Sequence, residues 1–192
     1  MASWTQLEKA CKNCTKCPLH ETRTNVVFGA GRTDAEIMLV GEGPGESEDL
    51  QGEPFVGKAG QLLDDMLTLI GLDRKTNVYI ANIVKCRPPK NRDPLFSEQE
   101  ACMDWLRNQY ALVRPKVVIC LGRIAASALI HPDFKITREH GKWFEKDGVQ
   151  FTAIYHPSAL LRDESKRPET FVDLKNILQM VKTKCTNTYL NI

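Results

Sequence analysis

The chain has 192 residues, 42% of them hydrophobic and 26% charged, with 26 Lys and Arg against 24 Asp and Glu for a net charge of +2. That composition lies close to the soluble globular average and excludes intrinsic disorder and collagen-like repeats, while so small a charge neither demands nor excludes a nucleic-acid partner. A charged residue interrupts every apolar run well before the roughly 18 residues of a membrane-spanning helix, and the opening MASWTQLEKACKNC carries no apolar signal core, so a cytoplasmic protein with reduced thiols is expected.

The first feature along the chain is its cysteines. Cys11, Cys14 and Cys17 make two overlapping C-x-x-C pairs, and Cys86 and Cys102 follow far downstream. In a reducing compartment metal ligation explains such thiols better than disulfides, and four thiolates drawn from the two groups suit either zinc or an iron–sulfur cluster. Spacing alone leaves open whether Cys11 belongs to the set. Cys120, inside an apolar run, and Cys185, near the end, read as inert buried thiols.

Four short apolar runs are predicted as strands: residues 36–40 (EIMLV), 78–84 (VYIANIV), 116–121 (KVVICL) and 150–155 (QFTAIY). Between the first two, Leu62, Leu63, Met66, Leu67 and Ile70 recur at helical spacing and stop at Gly71. Before the third, Ser97 stands three residues ahead of Glu100 as a capping box, Cys102, Trp105, Leu106, Tyr110 and Val113 form an apolar stripe, and Pro115 ends it. Further helices are predicted over 123–130 and along Phe171, Leu174, Ile177, Leu178 and Val181. Strands alternating with helices predict an α/β fold with a central four-stranded parallel sheet in a single domain spanning 1–192.

Open α/β sheets bind ligands beyond the carboxyl ends of their strands, and all four predicted ends are unusual. The first runs into Gly41-Glu42-Gly43-Pro44-Gly45, which matches neither nucleotide-binding glycine pattern and loses a backbone donor at Pro44. It does permit close backbone approach to a flat ligand beside the carboxylates of Glu42, Glu46, Glu48 and Asp49. The second contains Asn82, whose amide needs partners, and continues into a loop carrying Lys85, Arg87, Lys90 and Arg92, charges suited to phosphate contacts if they face outward. Gly122-Arg123 follows the third and His156-Pro157-Ser158 the fourth. An isolated histidine is more often structural than catalytic. Together, however, an amide reader, the aromatic plate of Phe55 and an imidazole make a pocket for a nucleobase.

Four segments, GEGPGESED at 41–49, GEPFVGKAGQLL at 52–63, NIVKCRPPKNR at 82–92 and HPSALLR at 156–162, resemble the uracil-DNA glycosylase superfamily, specifically its iron–sulfur family 4. The resemblance runs from about Cys14 to the last predicted helix and implies a three-layer αβα sandwich. It implies hydrolysis of the bond between uracil and deoxyribose in double- or single-stranded DNA, leaving an abasic site for base excision repair. It further implies a structural [4Fe-4S] cluster on Cys14, Cys17, Cys86 and Cys102, built from the amino-terminal segment and the 86–102 region, with Cys11 a bystander and no divalent cation required. A monomer is expected.

Residue by residue, the resemblance has Phe55 stack on uracil, Asn82 read its Watson–Crick edge and His156 bond its O2 as charge develops there. Better-known family 1 enzymes use an aspartate to position water and a tyrosine to exclude thymine, and Gly43 and Gly45 stand at those positions. Glu48 is then expected to block the thymine methyl, Glu42 to arrange the site, and the Gly41 and Gly43 backbone to line it. Lys85, Arg87, Asn91, Ser158 and Arg162 are expected at the DNA, with Leu160 wedged into the vacated stack and Leu161 assisting. The rival expectation is a non-catalytic iron–sulfur or zinc module that binds uracil-DNA or a replication partner, which would have no use for Asn82 and His156.

Overall fold

A computed structural model describes residues 3–189. In chain order it forms α1 (Trp4–Lys12), β1 (Ala30–Gly31), β2 (Ile37–Gly41), α2 (Glu46–Gln51), α3 (Lys58–Thr68), β3 (Val78–Asn82) and α4 (Phe96–Val113). It continues through β4 (Val117–Leu121), α5 (Arg123–Leu129), α6 (Ile136–Glu139), β5 (Phe144–Lys146), β6 (Val149–Ile154), α7 (Pro157–Arg162) and α8 (Arg167–Lys184).

The sheet order is β1-β3-β2-β4-β6-β5. The four inner strands are mutually parallel, as the apolar runs predict, but short antiparallel strands border them on both sides, so the sheet is mixed and six-stranded. Both edge strands, of two and three residues, are too short for a periodicity signal. The β5–β6 hairpin nevertheless has one: Asp147 and Gly148 turn with φ of 50° and 80°, the pair that a two-residue type I′ turn requires.

Burial follows strand alternation. Met38 and Val40 of β2, Tyr79 and Ala81 of β3, and Val118 and Cys120 of β4 face a layer containing α1, α4 and α5. Ile37, Leu39, Val78, Ile80, Val117 and Ile119 face the opposite layer with α3 and α8. Period-2 side chains thus divide one sheet between two cores, which is the three-layer arrangement. Helix α1, which apolar spacing did not predict, docks by setting Trp4 edge-on against Phe28 and Tyr79.

The start of α4 differs from expectation. The helix begins at Phe96, ahead of Ser97, and the capping carboxylate is Glu98, which accepts from the Leu95 N–H at 2.7 Å while Arg92 holds both its oxygens at 2.6 and 2.8 Å. An arginine-paired carboxylate outcompetes a serine hydroxyl for that role. Among the described residues no helix is long and apolar enough to cross a membrane.

From β2 the chain passes to β3 on one side and then to β4 on the other. The order therefore switches direction at β2, and the crevice beyond its carboxyl end is where such a sheet receives a ligand.

Candidate active site

A cavity of about 670 Å³ occupies that crevice, within the range of small-molecule sites. Its wall brings together residues from every inner strand end: Glu42 after β2, Asn82 at the end of β3, Gly122 after β4, and Tyr155 and His156 after β6. Phe55 and Glu48 enter from the segments between β2 and α3.

Asn82 is 2% exposed and its Oδ1 has no hydrogen-bond partner among the described residues. A buried, unsatisfied acceptor costs about 1–3 kcal/mol, so a position that keeps one is prepared for a donor from outside the chain. Gly41 makes room for this group. A Cβ at Gly41 would lie 2.5 Å from Asn82 Oδ1 and 2.7 Å from Phe55 Cζ, so any side chain there would strike both.

The Phe55 and His156 rings lie 5.6 Å apart, tilted by 32°. His156 Nδ1 faces the Ser158 hydroxyl at 2.8 Å and the Ser158 backbone N–H at 3.1 Å. A backbone N–H only donates, so Nδ1 carries the lone pair and the proton of the neutral ring resides on Nε2. Burial, reinforced by the positive charge of Arg162, pulls His156 down to about 4, so the ring is neutral at physiological pH.

Glu42 occupies the other side of Gly122, where a Cβ would come within 2.8 Å of Glu42 Oε1 and 3.0 Å of His156 Cβ. Burial pushes its carboxyl up to about 7, with the Asp93 carboxylate acting in the same direction and Arg123 and the Ile124 N–H opposing. Glu48 is fixed in place: Oε2 accepts from Gly45 N at 3.1 Å, and Oε1 from Val56 N and Gly57 N at 2.9 Å each.

Of the cavity's lining residues, Asn91 Oδ1 accepts at 2.7 Å from Nε of Arg87, which itself lies outside the lining, and Arg123 pairs with Asp93 at 2.9 Å. Arg123, noted from the sequence only as part of the third strand end, lines the cavity, as do Lys58, Asp93 and Tyr155, which the sequence had not singled out.

Two expected DNA contacts are corrected. Lys85 does not face outward: it is 1% exposed, and its ammonium donates to Asn82 O at 2.8 Å and Gln109 Oε1 at 2.6 Å. It lies three residues beyond β3 in a stretch, residues 83–86, that is buried throughout, and its ammonium is held inside by those two acceptors. Leu160 is likewise 1% exposed and belongs to the core beside α3 and α8, whereas Leu161 is 42% exposed. The short helix α7 turns one leucine inward and its neighbour outward. Arg162 and Ser158 do line the cavity.

Cys11, Cys14, Cys17, Cys86 and Cys102 border one small separate cavity. Three sulfurs accept hydrogen bonds at 3.3 Å: Cys14 from Trp105 Nε1, Cys86 from Arg23 Nη1 and Cys102 from Lys85 N. Soft donors surrounded by N–H groups have the chemistry of an iron–sulfur site, where such bonds stabilise the sulfurs. Among the described residues no three His, Cys, Asp or Glu side chains converge on a point that would hold a single ion. Cys120 and Cys185 are buried elsewhere, as expected.

Residues 28–179 match the family model described as the uracil DNA glycosylase superfamily. The chain belongs to that superfamily. A type-4 uracil-DNA glycosylase of Archaeoglobus fulgidus is 46% identical over 192 residues, covering 96% of each chain. Another, of Thermotoga maritima, is 44% identical over 177 residues, covering 89% of this chain and 91% of that one. A type-5 uracil-DNA glycosylase of Pyrobaculum aerophilum is 36% identical over a shorter 146 residues, covering 68% of this chain and 64% of its own. Likeness to type-4 members of the superfamily thus extends over nearly the whole chain, in keeping with the family drawn from the four motifs.

Proposed function

We propose that this protein excises uracil from DNA, hydrolysing the N-glycosidic bond to leave free uracil and an abasic site for repair. One observation carries the pocket assignment: the buried, unpartnered Asn82 Oδ1 lies beside an aromatic plate and faces the same cavity as a neutral imidazole.

The target base is inaccessible inside a duplex, so the nucleotide is extruded at an unstacking cost of a few kcal/mol. Phe55 stacks on the uracil ring. Asn82 Oδ1 accepts the uracil N3–H, and its amide nitrogen donates to O4. Cytosine presents the reverse pattern, leaving buried groups unpaired, a mismatch that discriminates by about 10⁴-fold or more where a site is built for hydrogen bonding. Glu48, held by three backbone N–H groups, closes the space that a thymine methyl needs.

As the C1′–N1 bond breaks, its electron pair moves onto the uracil ring, and His156 Nε2–H donates to O2 where that charge collects. A water adds to C1′ and gives up a proton. Glu42, with a carboxyl near 7, positions that water and suits proton acceptance at neutral pH. Arg87, Asn91, Ser158 and Arg162 contact the strand, and exposed Leu161 takes the wedge role first read onto Leu160.

Cys14, Cys17, Cys86 and Cys102 fit a [4Fe-4S] cluster, with Cys11 outside the set, and the N–H donors on three of those sulfurs support this. The cluster would supply a structural cross-link between the amino-terminal segment and the 86–102 region. The whole chain would then act as one domain, requiring no divalent ion. We read the protein as a cytoplasmic monomer acting on uracil in double- or single-stranded DNA, in a compartment where thiols stay reduced and available to a cluster.

The test is a labelled oligonucleotide with one deoxyuridine, incubated in EDTA and treated with alkali, beside a thymidine control. Scission at uracil alone, lost in His156→Ala, is expected. Intact strands with iron-loaded protein would overturn the reading in favour of a binding module.

A further inference from the structure

Phe55 occupies the left-handed backbone region at φ 55°, where a bulky residue is a rare outlier. Such strain persists only where the surroundings over-determine it. Here two clamps act on consecutive peptides. On the carbonyl side, Arg74 Nη1 donates to Pro54 O at 3.0 Å and Nη2 to Phe55 O at 2.7 Å. On the N–H side, Glu48 Oε1 accepts from Val56 and Gly57. Gly60 leaves the space, since a Cβ there would lie 1.8 Å from Phe55 O.

Arg74 is remote from the chemistry. It comes from the segment between α3 and β3, its side chain is 11% exposed, and its Nε donates to Asp64 Oδ1 at 2.7 Å. Its guanidinium is thus committed to two successive carbonyls and to Asp64, with the Glu53 carboxylate farther off at 3.9 Å.

We propose that Arg74 is a positioning residue for base recognition: its guanidinium, bound to Pro54 O and Phe55 O, holds the strained backbone that lays the Phe55 ring across the cavity. This rests on the reading of Phe55 as the uracil-stacking plate. A planar fork is required, because a lysine ammonium at the same place is a point donor and satisfies one carbonyl at most. With one carbonyl released, Phe55 relaxes toward ordinary φ and its ring leaves the position beside His156.

The experiment compares the iron-loaded unaltered protein with Arg74→Lys, Gly60→Ala, Phe55→Ala and the Arg74→Lys/Phe55→Ala pair. It measures Tm, kcat and KM on a deoxyuridine oligonucleotide, and inhibition by free uracil. Arg74→Lys is expected to weaken uracil inhibition on the order of tenfold or more, since misplacement of a recognition group by an ångström has effects of that size. It should add nothing in the Phe55→Ala background, because both changes remove the same contact. Gly60→Ala, which displaces the same carbonyl, should reproduce the effect if Arg74→Lys does not fold. A lower Tm with uracil inhibition unchanged in both Arg74→Lys and Gly60→Ala would overturn the proposal and leave Arg74 a structural role. Unchanged inhibition in Phe55→Ala itself would instead remove the stacking reading, and the inference with it.

Discussion

Replacing His156 with alanine removes two things at once. In the proposed mechanism the Nε2–H donates to uracil O2, and a single preorganised donor to a developing anion is typically worth about 2.7–4 kcal/mol, or about 10²–10³ in rate. Nδ1, by accepting from the Ser158 N–H at 3.1 Å, also caps α7. Losing a cap of that kind costs about 1 kcal/mol, equivalent to about 2–4 °C in Tm for a chain of this size. His156→Asn separates the two effects, because asparagine is among the best capping residues yet cannot reach as far as an imidazole. Single-turnover cleavage of a deoxyuridine oligonucleotide should therefore slow about a hundredfold or more in both variants, while Tm falls only in the alanine variant. A folded His156→Ala protein within about fivefold of the unaltered rate, about 1 kcal/mol, would refute the donor assignment.

Glu42, raised to about 7 from 4.5, should give a pH–rate profile that climbs as its carboxyl ionises around pH 7, and Glu42→Gln should flatten that limb. The same raised carboxyl favours the folded state below pH 4.5, a contribution lost as pH rises through 7. His156 acts with the opposite sign: its folded value near 4 against 6.5 means that the unfolded chain takes up the proton first, so its contribution, present above pH 6.5, drains away as pH falls toward 4, which thermal melts across that window would register. Leu160→Ala should cost about 2–5 kcal/mol of stability as a core truncation, whereas Leu161→Ala should leave the melting curve unchanged and slow excision from duplex more than from single-stranded DNA. Serine at Cys14, Cys17, Cys86 or Cys102 should lower iron content and bleach the brown colour, while Cys11→Ser keeps both; equal iron loss from Cys11→Ser would refute the ligand set.

The inner strands and the residues just beyond them were legible because their signals are local: an apolar β-branched run, then glycine, asparagine or histidine where the run stops. Expectations failed where a side chain's direction depends on the element's phase. Leu160 and Leu161 differ by one position, and only the docking of α7 determines which is buried. Lys85 reads as one of a group of basic residues, but it turns inward to meet Gln109 from α4, a partner 24 residues away that no local pattern reveals. Ser97 lost its cap to Glu98 because Arg92, outside the helix, holds that carboxylate in position. Arg74 bears no motif at all, and its importance emerges only once it is seen against the backbone of Phe55.

The short path from Asn82 to Cys86 has its own consequence. Within it the Lys85 side chain ties back to the Asn82 carbonyl while the Lys85 N–H reaches the Cys102 sulfur. The strand-end cavity and the cysteine cavity are therefore joined by one short stretch of chain, residues 82–86. Adding or deleting a single residue there would break these two bonds and uncouple both ends together, so this stretch has no freedom to vary in length even though it looks, on the linear sequence, like the beginning of a loop.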